Sequence, residues 1–232
     1  MAGGPLFKVT YGMYIVGSRS GDRLNGLIIN TVNQVTSSPP RVSVTISRNN
    51  LTHDYIMESK VFSISILKKD TPMKFIGKWG FRSGRDIDKF EGANYRIGET
   101  GAPIVLENVI GYMDLRLVDR LEVQTHTIFI GEVVSSGIIE DSEPLTYNYY
   151  RDIKGGHSSK LAPTYDGWAE RTEGPKGKDL SKYICQRCGY VYDPVAGDAG
   201  SDIEQNTPFS ELPATWECPL CGAGKDEFRR AN

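Results

Sequence analysis

Apolar and polar residues alternate along most of the first 150 residues in short runs rich in β-branched and aromatic side chains. Such runs, bounded by turn residues, predict β-strands, while LTHDYIMESK and PMKFIGKW are the two short helix candidates. Six or more strands with few helices predict a mainly β domain, either a barrel or a sandwich. The predicted strands are FKVTYGMYIVGS, GLIINTVNQVT, RVSVTIS, VFSISIL, YMDLRLV and HTIFIGEVV.

The alternation weakens from Ser158 to Lys182, where Gly, Pro, Ser and Lys gather without periodicity. This composition predicts a linker, with a domain boundary near residue 178. We therefore expect a large β domain over residues 1–165, a linker over residues 166–181 and a small domain over residues 182–232.

Several classes of protein are disfavoured by what the sequence lacks. No apolar run approaches the roughly 18 residues of a membrane helix, and no secretory signal opens the chain, so we expect a soluble, cytoplasmic protein without a membrane partner. The net charge of −2 includes no basic stripe, which argues against nucleic acid as a partner. Neither G-x-G-x-x-G after a strand nor G-x-x-x-x-G-K-[ST] occurs, so no Rossmann or nucleoside-triphosphate site is predicted.

The four cysteines form two C-x-x-C pairs, and all four lie in the small domain. Without a secretory signal such pairs favour metal ligation over disulfides, because each turn aims two sulfurs at one centre. Four thiolates suit zinc and iron alike, so the ligand set leaves the metal open. The 29 residues between Cys188 and Cys218 exceed a common zinc-ribbon loop and carry aromatic residues for a small core.

The run YICQRCGYVYDP, followed later by TPFSELPATWECPLCGAGKDEF, resembles rubredoxin over essentially all of residues 182–229. The resemblance implies one iron that cycles between ferric and ferrous states as a one-electron carrier. A zinc knuckle that stabilises or docks is the alternative. An iron without a free coordination position needs both a donor and an acceptor. The implied ligands are Cys185, Cys188, Cys218 and Cys221.

A flavin is the cofactor we expect to supply such an iron, because NAD(P)H delivers two electrons as a hydride and the iron accepts one. The strand RVSVTIS ends in polar residues, Ser47 to Asn50, ahead of a helix candidate. Hydroxyl, guanidinium and amide groups followed by free helix N–H groups would form a phosphate cradle. The same residue types also cap ordinary helices, so the residues alone leave both interpretations open.

Residues 6–165 resemble the flavin reductase family, whose fold is an FMN-binding split β-barrel with a few short helices. The matching pieces are NGLIINTVNQVTSSPPRVSVTISRNNLTHDYI, FRSGRDIDKFEG, THTIFIGEV and PLTYNYYRDIKGG. FMN is preferred to FAD because nothing in the sequence suggests an adenosine site. By position, the resemblance implies that Asn30, Thr31, Val32, Asn33 and Thr36 line the flavin ring. It implies that Ser47, Arg48, Asn49, Thr52 and His53 hold or support the phosphate.

His126 is the candidate catalytic residue, because the family typically has Gly-Asp-His here, with the histidine close to flavin and nicotinamide. Gln124 and Thr125 precede it in this chain, so the carboxylate of the family pattern has no counterpart here. A half-buried histidine hydrogen-bonded within a barrel is the alternative. The segment SGRDIDKF is either a solvated loop or a loop that closes with Arg82, Arg85 or Lys89 facing an NAD(P)H phosphate.

The combination of the two domains closely resembles the high-molecular-weight rubredoxins of anaerobes. The resemblance implies an NAD(P)H-dependent oxidoreductase that passes electrons from NADH or NADPH to FMN, then to iron and on to a partner. The implied partner is a flavodiiron protein that reduces nitric oxide or dioxygen, and the family implies a homodimer. The alternative is a relay that another enzyme reduces and that has no NAD(P)H site of its own.

Overall fold

The fold is taken from a computed structural model that describes residues 8–154, 156, 158–159, 161–165, 179–201, 203–204 and 207–231. Most of the predicted linker, residues 166–178, lies outside the described residues. Within the described part, no helix has the length and apolar character to cross a membrane.

A seven-stranded antiparallel sheet forms most of the large domain, in the order β2-β1-β5-β8-β9-β4-β3. This mainly β architecture confirms the predicted fold class. The two helix candidates are α1, Leu51–Ser59, and α2, Met73–Gly80. The strands are β1 Tyr14–Ser20, β2 Arg23–Ile29, β3 Val32–Ser37, β4 Pro40–Ser47, β5 Val61–Leu67, β8 Val109–Val123 and β9 His126–Ile138.

The prediction of one continuous strand over GLIINTVNQVT was wrong, because the segment is divided between β2 and β3 at Asn30 and Thr31. The two strands lie at opposite ends of the sheet order, so the chain must leave one edge and join the other. Thr31 fixes the second edge, because its carbonyl accepts a hydrogen bond from the Thr45 amide at 3.3 Å. The hydrophobic pattern runs through the break and gives no signal of it.

Three short elements of the large domain were not predicted from the alternation pattern. They are β6 Tyr95–Ile97, β7 Pro103–Val105 and α3 Tyr147–Asp152. β6 and β7 pair with each other, and Ser63 and Ser65 of β5 donate side-chain hydrogen bonds to carbonyls of β7. The N-cap residue of α3 is Thr146, whose hydroxyl accepts a hydrogen bond from the Tyr149 amide. Its tyrosines pack on the same core as α2.

Two apolar clusters fill the large domain and place α2 at its surface. One contains Ile64, Leu115 and Phe129 between the strands. The other contains Ile76 and Trp79 of α2, with α3 beside them. α2 is therefore attached to the barrel through one of its faces, and its other face is available for contact.

In its described residues, the small domain has a three-stranded sheet in the order β11-β10-β12 and three short 3-10 turns. Its strands are β10 Tyr183–Cys185, β11 Val191–Tyr192 and β12 Phe228–Arg230. Tyr183 stacks on Phe209 with ring centroids 4.0 Å apart, and Trp216 packs edge-on against Tyr192 and Phe209. A core this small needs additional stabilisation, which a bound metal can supply.

Candidate functional site

The four cysteines of the small domain form one buried cluster. Their sulfur atoms all lie within 4.8 Å of one another. Sγ of Cys185 lies 3.7 Å from that of Cys221, and Sγ of Cys188 lies 3.5 Å from that of Cys218. A tetrahedron with metal–sulfur bonds of about 2.3 Å has edges of about 3.8 Å, so the cluster fits a single four-coordinate metal.

Local turns aim the sulfurs inward. Gly189 and Gly222, which follow the second cysteine of each pair, have φ angles of 77° and 68°, a backbone conformation that favours glycine. The Tyr190 amide donates to the Cys188 sulfur at 3.4 Å. An N–H donor of this kind stabilises the more negative state of a metal–thiolate site.

A second candidate site is a cavity between α2, the ends of β2 and β4, and the start of α1. Its walls combine apolar side chains, such as Leu27, Ile46 and Trp79, with polar groups. Among the described residues that line it, four carry positive charge and none carries a carboxylate. Such a cavity suits a flat apolar ligand with an anionic group. The four cationic residues are Arg82, Arg85, Lys89 and Arg187.

The structure brings together part of the predicted phosphate cradle. Ser47, Asn49 and Thr52 line the cavity. α1 begins beside them, and its N-cap residue, Asn50, makes no side-chain cap hydrogen bond. α1 therefore begins at the wall of a cavity lined by cations, and the positive end of the helix dipole there suits an anion.

Two members of the predicted cradle lie elsewhere. The Arg48 guanidinium lies 3.9 Å from the Glu122 carboxylate on the surface, with about half of each side chain exposed. His53 is buried beneath the cradle, where its Nε2 lies 2.9 Å from Thr127 Oγ1 and its ring packs on Phe129. His53 thus holds α1 against β9 and does not line the cavity.

Of the residues predicted to line the flavin ring, Asn30 lines the cavity. Its side-chain amide donates to Thr164 Oγ1 at 3.0 Å. Thr31 lies just behind the wall, where its hydroxyl donates to the Thr45 carbonyl at 3.1 Å. The structure places the remaining three, Val32, Asn33 and Thr36, along the edge strand β3, outside the lining.

His126 lies at the margin of the cavity and does not line it directly. It pairs with Ser47 across β4 and β9, and its Nε2 lies 3.2 Å from the carbonyl oxygen of Leu161, a lining residue. Its Nδ1 lies 2.8 Å from Thr125 Oγ1. The half-buried ring is therefore hydrogen-bonded on both nitrogens, and its predicted catalytic role stays a prediction.

Two buried polar atoms in the cavity wall lack a hydrogen-bond partner among the described residues. They are Oδ1 of Asn25 and Nε1 of Trp79. Asn25 also donates from Nδ2 to Thr52 Oγ1 at 2.9 Å, so its free oxygen has a fixed direction. An unpaired buried acceptor and donor cost free energy, and a bound ligand with polar ring edges would satisfy them. The cavity therefore fits a flavin.

Asn25 and Trp79 were not among the candidates from the sequence. Nor was Arg187, which lies between two metal ligands and reaches the same cavity. Of the three cations considered for a nicotinamide phosphate, Lys89 is buried and Arg82 lines the cavity. Arg85 also lines it, while pairing with Asp54 at 3.0 Å.

Comparison with known proteins gives two family matches. Residues 6–154 match the flavin reductase like domain, and residues 182–228 match rubredoxin. A high molecular weight rubredoxin of Moorella thermoacetica is 43% identical over 225 residues, 97% of each chain. A ferric-chelate reductase (NAD(P)H) of Archaeoglobus fulgidus is 40% identical over 159 residues, 68% of this chain and 94% of that protein. An FMN-binding protein structure from Thermus thermophilus is 27% identical with a TM-score of 0.54, over 61% of this chain and 78% of that one.

Proposed function

The chain belongs to the high molecular weight rubredoxin family, with a flavin reductase like domain before a rubredoxin domain, and we propose that it passes electrons from NADH or NADPH through FMN to iron. When bound, the flavin would accept the two electrons of a hydride and release them one at a time, and the iron would carry single electrons. The similar ferric-chelate reductase, named for NAD(P)H, supports the nicotinamide donor.

In this scheme, the residues of this chain bind the flavin and orient it. The start of α1, with Ser47 and Asn49, would hold the phosphate, and the free atoms of Asn25 and Trp79 would bond the polar edge of the ring. Hydride transfer needs close stacking and orientation more than an acid or a base. Among the described residues, the lining contains no carboxylate to repel a phosphate.

One observation carries the proposal: the cavity and the cysteine cluster share a wall. Arg82 lines the cavity, and it also lines the groove beside Cys218 and Cys221. A two-electron site and a one-electron site that adjoin in one chain are what a converter of hydride into single electrons requires.

We expect NADH, added without oxygen, to bleach both the flavin band and the ferric thiolate bands of one sample. Visible absorption during a stepwise titration checks this, and NADPH is compared in parallel. If neither nucleotide bleaches the ferric bands or the flavin band, the protein is a relay that another reductase supplies with electrons, and not an NAD(P)H-dependent enzyme. An absence of iron on elemental analysis, with zinc in its place, would remove electron transfer altogether.

The acceptor and the oligomeric state complete the proposal. We take a flavodiiron protein that reduces nitric oxide or dioxygen as the acceptor, on the resemblance described above. A homodimer is supported by apolar residues exposed where β8 approaches its turn into β9, among them Leu121, which is 60% exposed, and Val123, which is 46% exposed.

Light scattering is expected to give twice the chain mass of 25.7 kDa. Leu121→Asp should shift the measured mass towards the monomer, because a charge in a buried apolar interface is costly. Asp119→Asn, an exposed change on the same strand, is the control. A monomer mass for the unaltered protein would contradict the dimer.

A further inference from the structure

The second cysteine loop of the rubredoxin domain rests on α2 of the barrel. Gly77, in the middle of α2, is buried against the backbone carbonyl of Leu220, which lies between Cys218 and Cys221. A Cβ atom at Gly77 would collide with that carbonyl oxygen and come within 2.5 Å of the carbonyl carbon. Glycine is unfavourable inside a helix, so its presence here has a reason in the close contact between the two backbones.

The contact extends along one face of α2. Met73 and Phe81 lie four residues before and after Gly77, and both pack against the aromatic core of the rubredoxin domain. Residues four apart share a helix face. The opposite face, with Ile76 and Trp79, packs into the barrel. α2 is thus buried on two sides, and its outer face is complementary to the metal loop.

The end of α2 joins this contact to the cofactor cavity. Arg82 lines the cavity, and its guanidinium lies beside Gly222, where a Cβ atom would be 3.4 Å from Nη2. Leu220 is 4% exposed in this arrangement. The middle of the second cysteine loop is therefore buried in this contact.

We propose that the face of α2 formed by Met73, Gly77 and Phe81 is the docking surface on which the rubredoxin domain receives electrons, with Gly77 as the positioning residue. This inference rests on the proposed function. The docking surface acts by setting how closely the loop at residues 218–222 approaches the cavity wall, and a side chain at position 77 would hold the two apart.

Gly77→Ala adds one methyl group at the contact, and Gly80→Ala on the same helix is the matched control. A Cβ atom at Gly80 would meet Ile28 at 3.7 Å, which is an ordinary contact. Hydrogen exchange of the full-length protein with both cofactors is expected to show faster exchange at residues 218–222 in Gly77→Ala and not in Gly80→Ala. Gly77→Leu should enlarge the effect, and far-ultraviolet circular dichroism checks that the barrel remains folded.

Anaerobic stopped-flow mixing with NADH gives the second measurement. In Gly77→Ala the flavin band should bleach at the wild-type rate, and the iron bands should bleach at least about tenfold more slowly. Unchanged exchange in both Gly77 variants would overturn the docking surface, and altered exchange with an unchanged rate of iron bleaching would overturn its role in electron transfer. Should NADH fail to bleach the wild type, the proposed function falls, and photoreduction of the flavin with EDTA supplies the electrons that decide the docking proposal.

Discussion

Replacing Cys218 with serine is expected to abolish electron delivery to an acceptor while NADH still bleaches the flavin band at the wild-type rate. Cys218 supplies one of four buried sulfurs around a single centre, with Sγ 3.5 Å from that of Cys188. A serine hydroxyl ionises far less readily than a thiol and is a poor ligand for a site built from soft sulfur donors. Among the described residues of the small domain, only Arg187 lines the flavin cavity, and none comes from the loop at residues 218–222, so the reaction of the flavin with NADH should be largely retained.

The Cys218→Ser experiment combines three measurements on one sample: iron content, the visible spectrum, and reduction of an external acceptor such as cytochrome c. Ser210→Ala, at an exposed position of the same domain, is the control for handling and expression. Loss of flavin bleaching together with loss of acceptor reduction, in a variant whose barrel is folded, would mean that the iron precedes the flavin in the electron path.

The metal site could be predicted almost entirely from the sequence, because its information is local. Each C-x-x-C-G turn fixes two sulfur directions within five residues, and the glycine permits the φ angle that the turn needs. The predicted strands β4 and β5 and the helix α1 likewise depend on runs of neighbouring residues. Alternation of apolar and polar residues reports which face of a strand is buried, and β4 follows it. β5 is buried on both faces, because Ser63 and Ser65 donate hydrogen bonds to carbonyls of β7.

The cofactor cavity could not be predicted to the same degree, because separate segments meet in it. Asn25, Trp79 and Arg187 are far apart in the sequence, and each belongs to a stretch with an ordinary structural explanation. Gly77 shows the same limit. In the sequence it is only a residue of low helix propensity within a helix candidate. The close approach of the Leu220 carbonyl explains why this position has no side chain. Val32, Asn33 and Thr36 were assigned to the flavin ring by resemblance alone, and their position on the edge strand β3 depends on pairing between distant segments.

Lys89 leads to the second prediction, which concerns stability. Its side chain is buried, and Nζ donates to the carbonyls of Gly26 and Trp79, each at 2.9 Å. Burial lowers the pKa of this lysine from 10.5 to about 7, because the interior disfavours the charged form. The other charged residues lining the cavity are Arg82, Arg85 and Arg187, and no carboxylate among the described lining residues offsets the ammonium.

The sign of the pH dependence follows from proton binding. Between about pH 7 and pH 10.5 the unfolded chain holds a proton on Lys89 that the folded chain has released. The free energy of unfolding therefore rises with pH across this window. Below pH 7 both states are protonated, and the folded state carries the full penalty, at most about 5 kcal/mol for this pKa difference.

Lys89→Met is expected to be more stable than the wild type at pH 6, by up to a few kcal/mol, because an apolar side chain has no charge to bury. At pH 10 the order should reverse, since the neutral amine donates two hydrogen bonds that methionine lacks, worth about 1 kcal/mol each. Urea unfolding followed by far-ultraviolet circular dichroism from pH 6 to pH 10 measures both values.

Lys78→Met is the matched control, because Lys78 also donates to a backbone carbonyl, that of Glu91, but at an exposed position of α2. The prediction is contradicted if the free-energy difference between wild type and Lys89→Met is the same at pH 6 and pH 10. The lysine would then keep its proton in the folded state.

An anionic ligand in the cavity favours the charged ammonium of Lys89 and compensates the free-energy penalty of burying it. FMN should therefore stabilise the wild type more at pH 6 than at pH 9, and this difference should shrink in Lys89→Met.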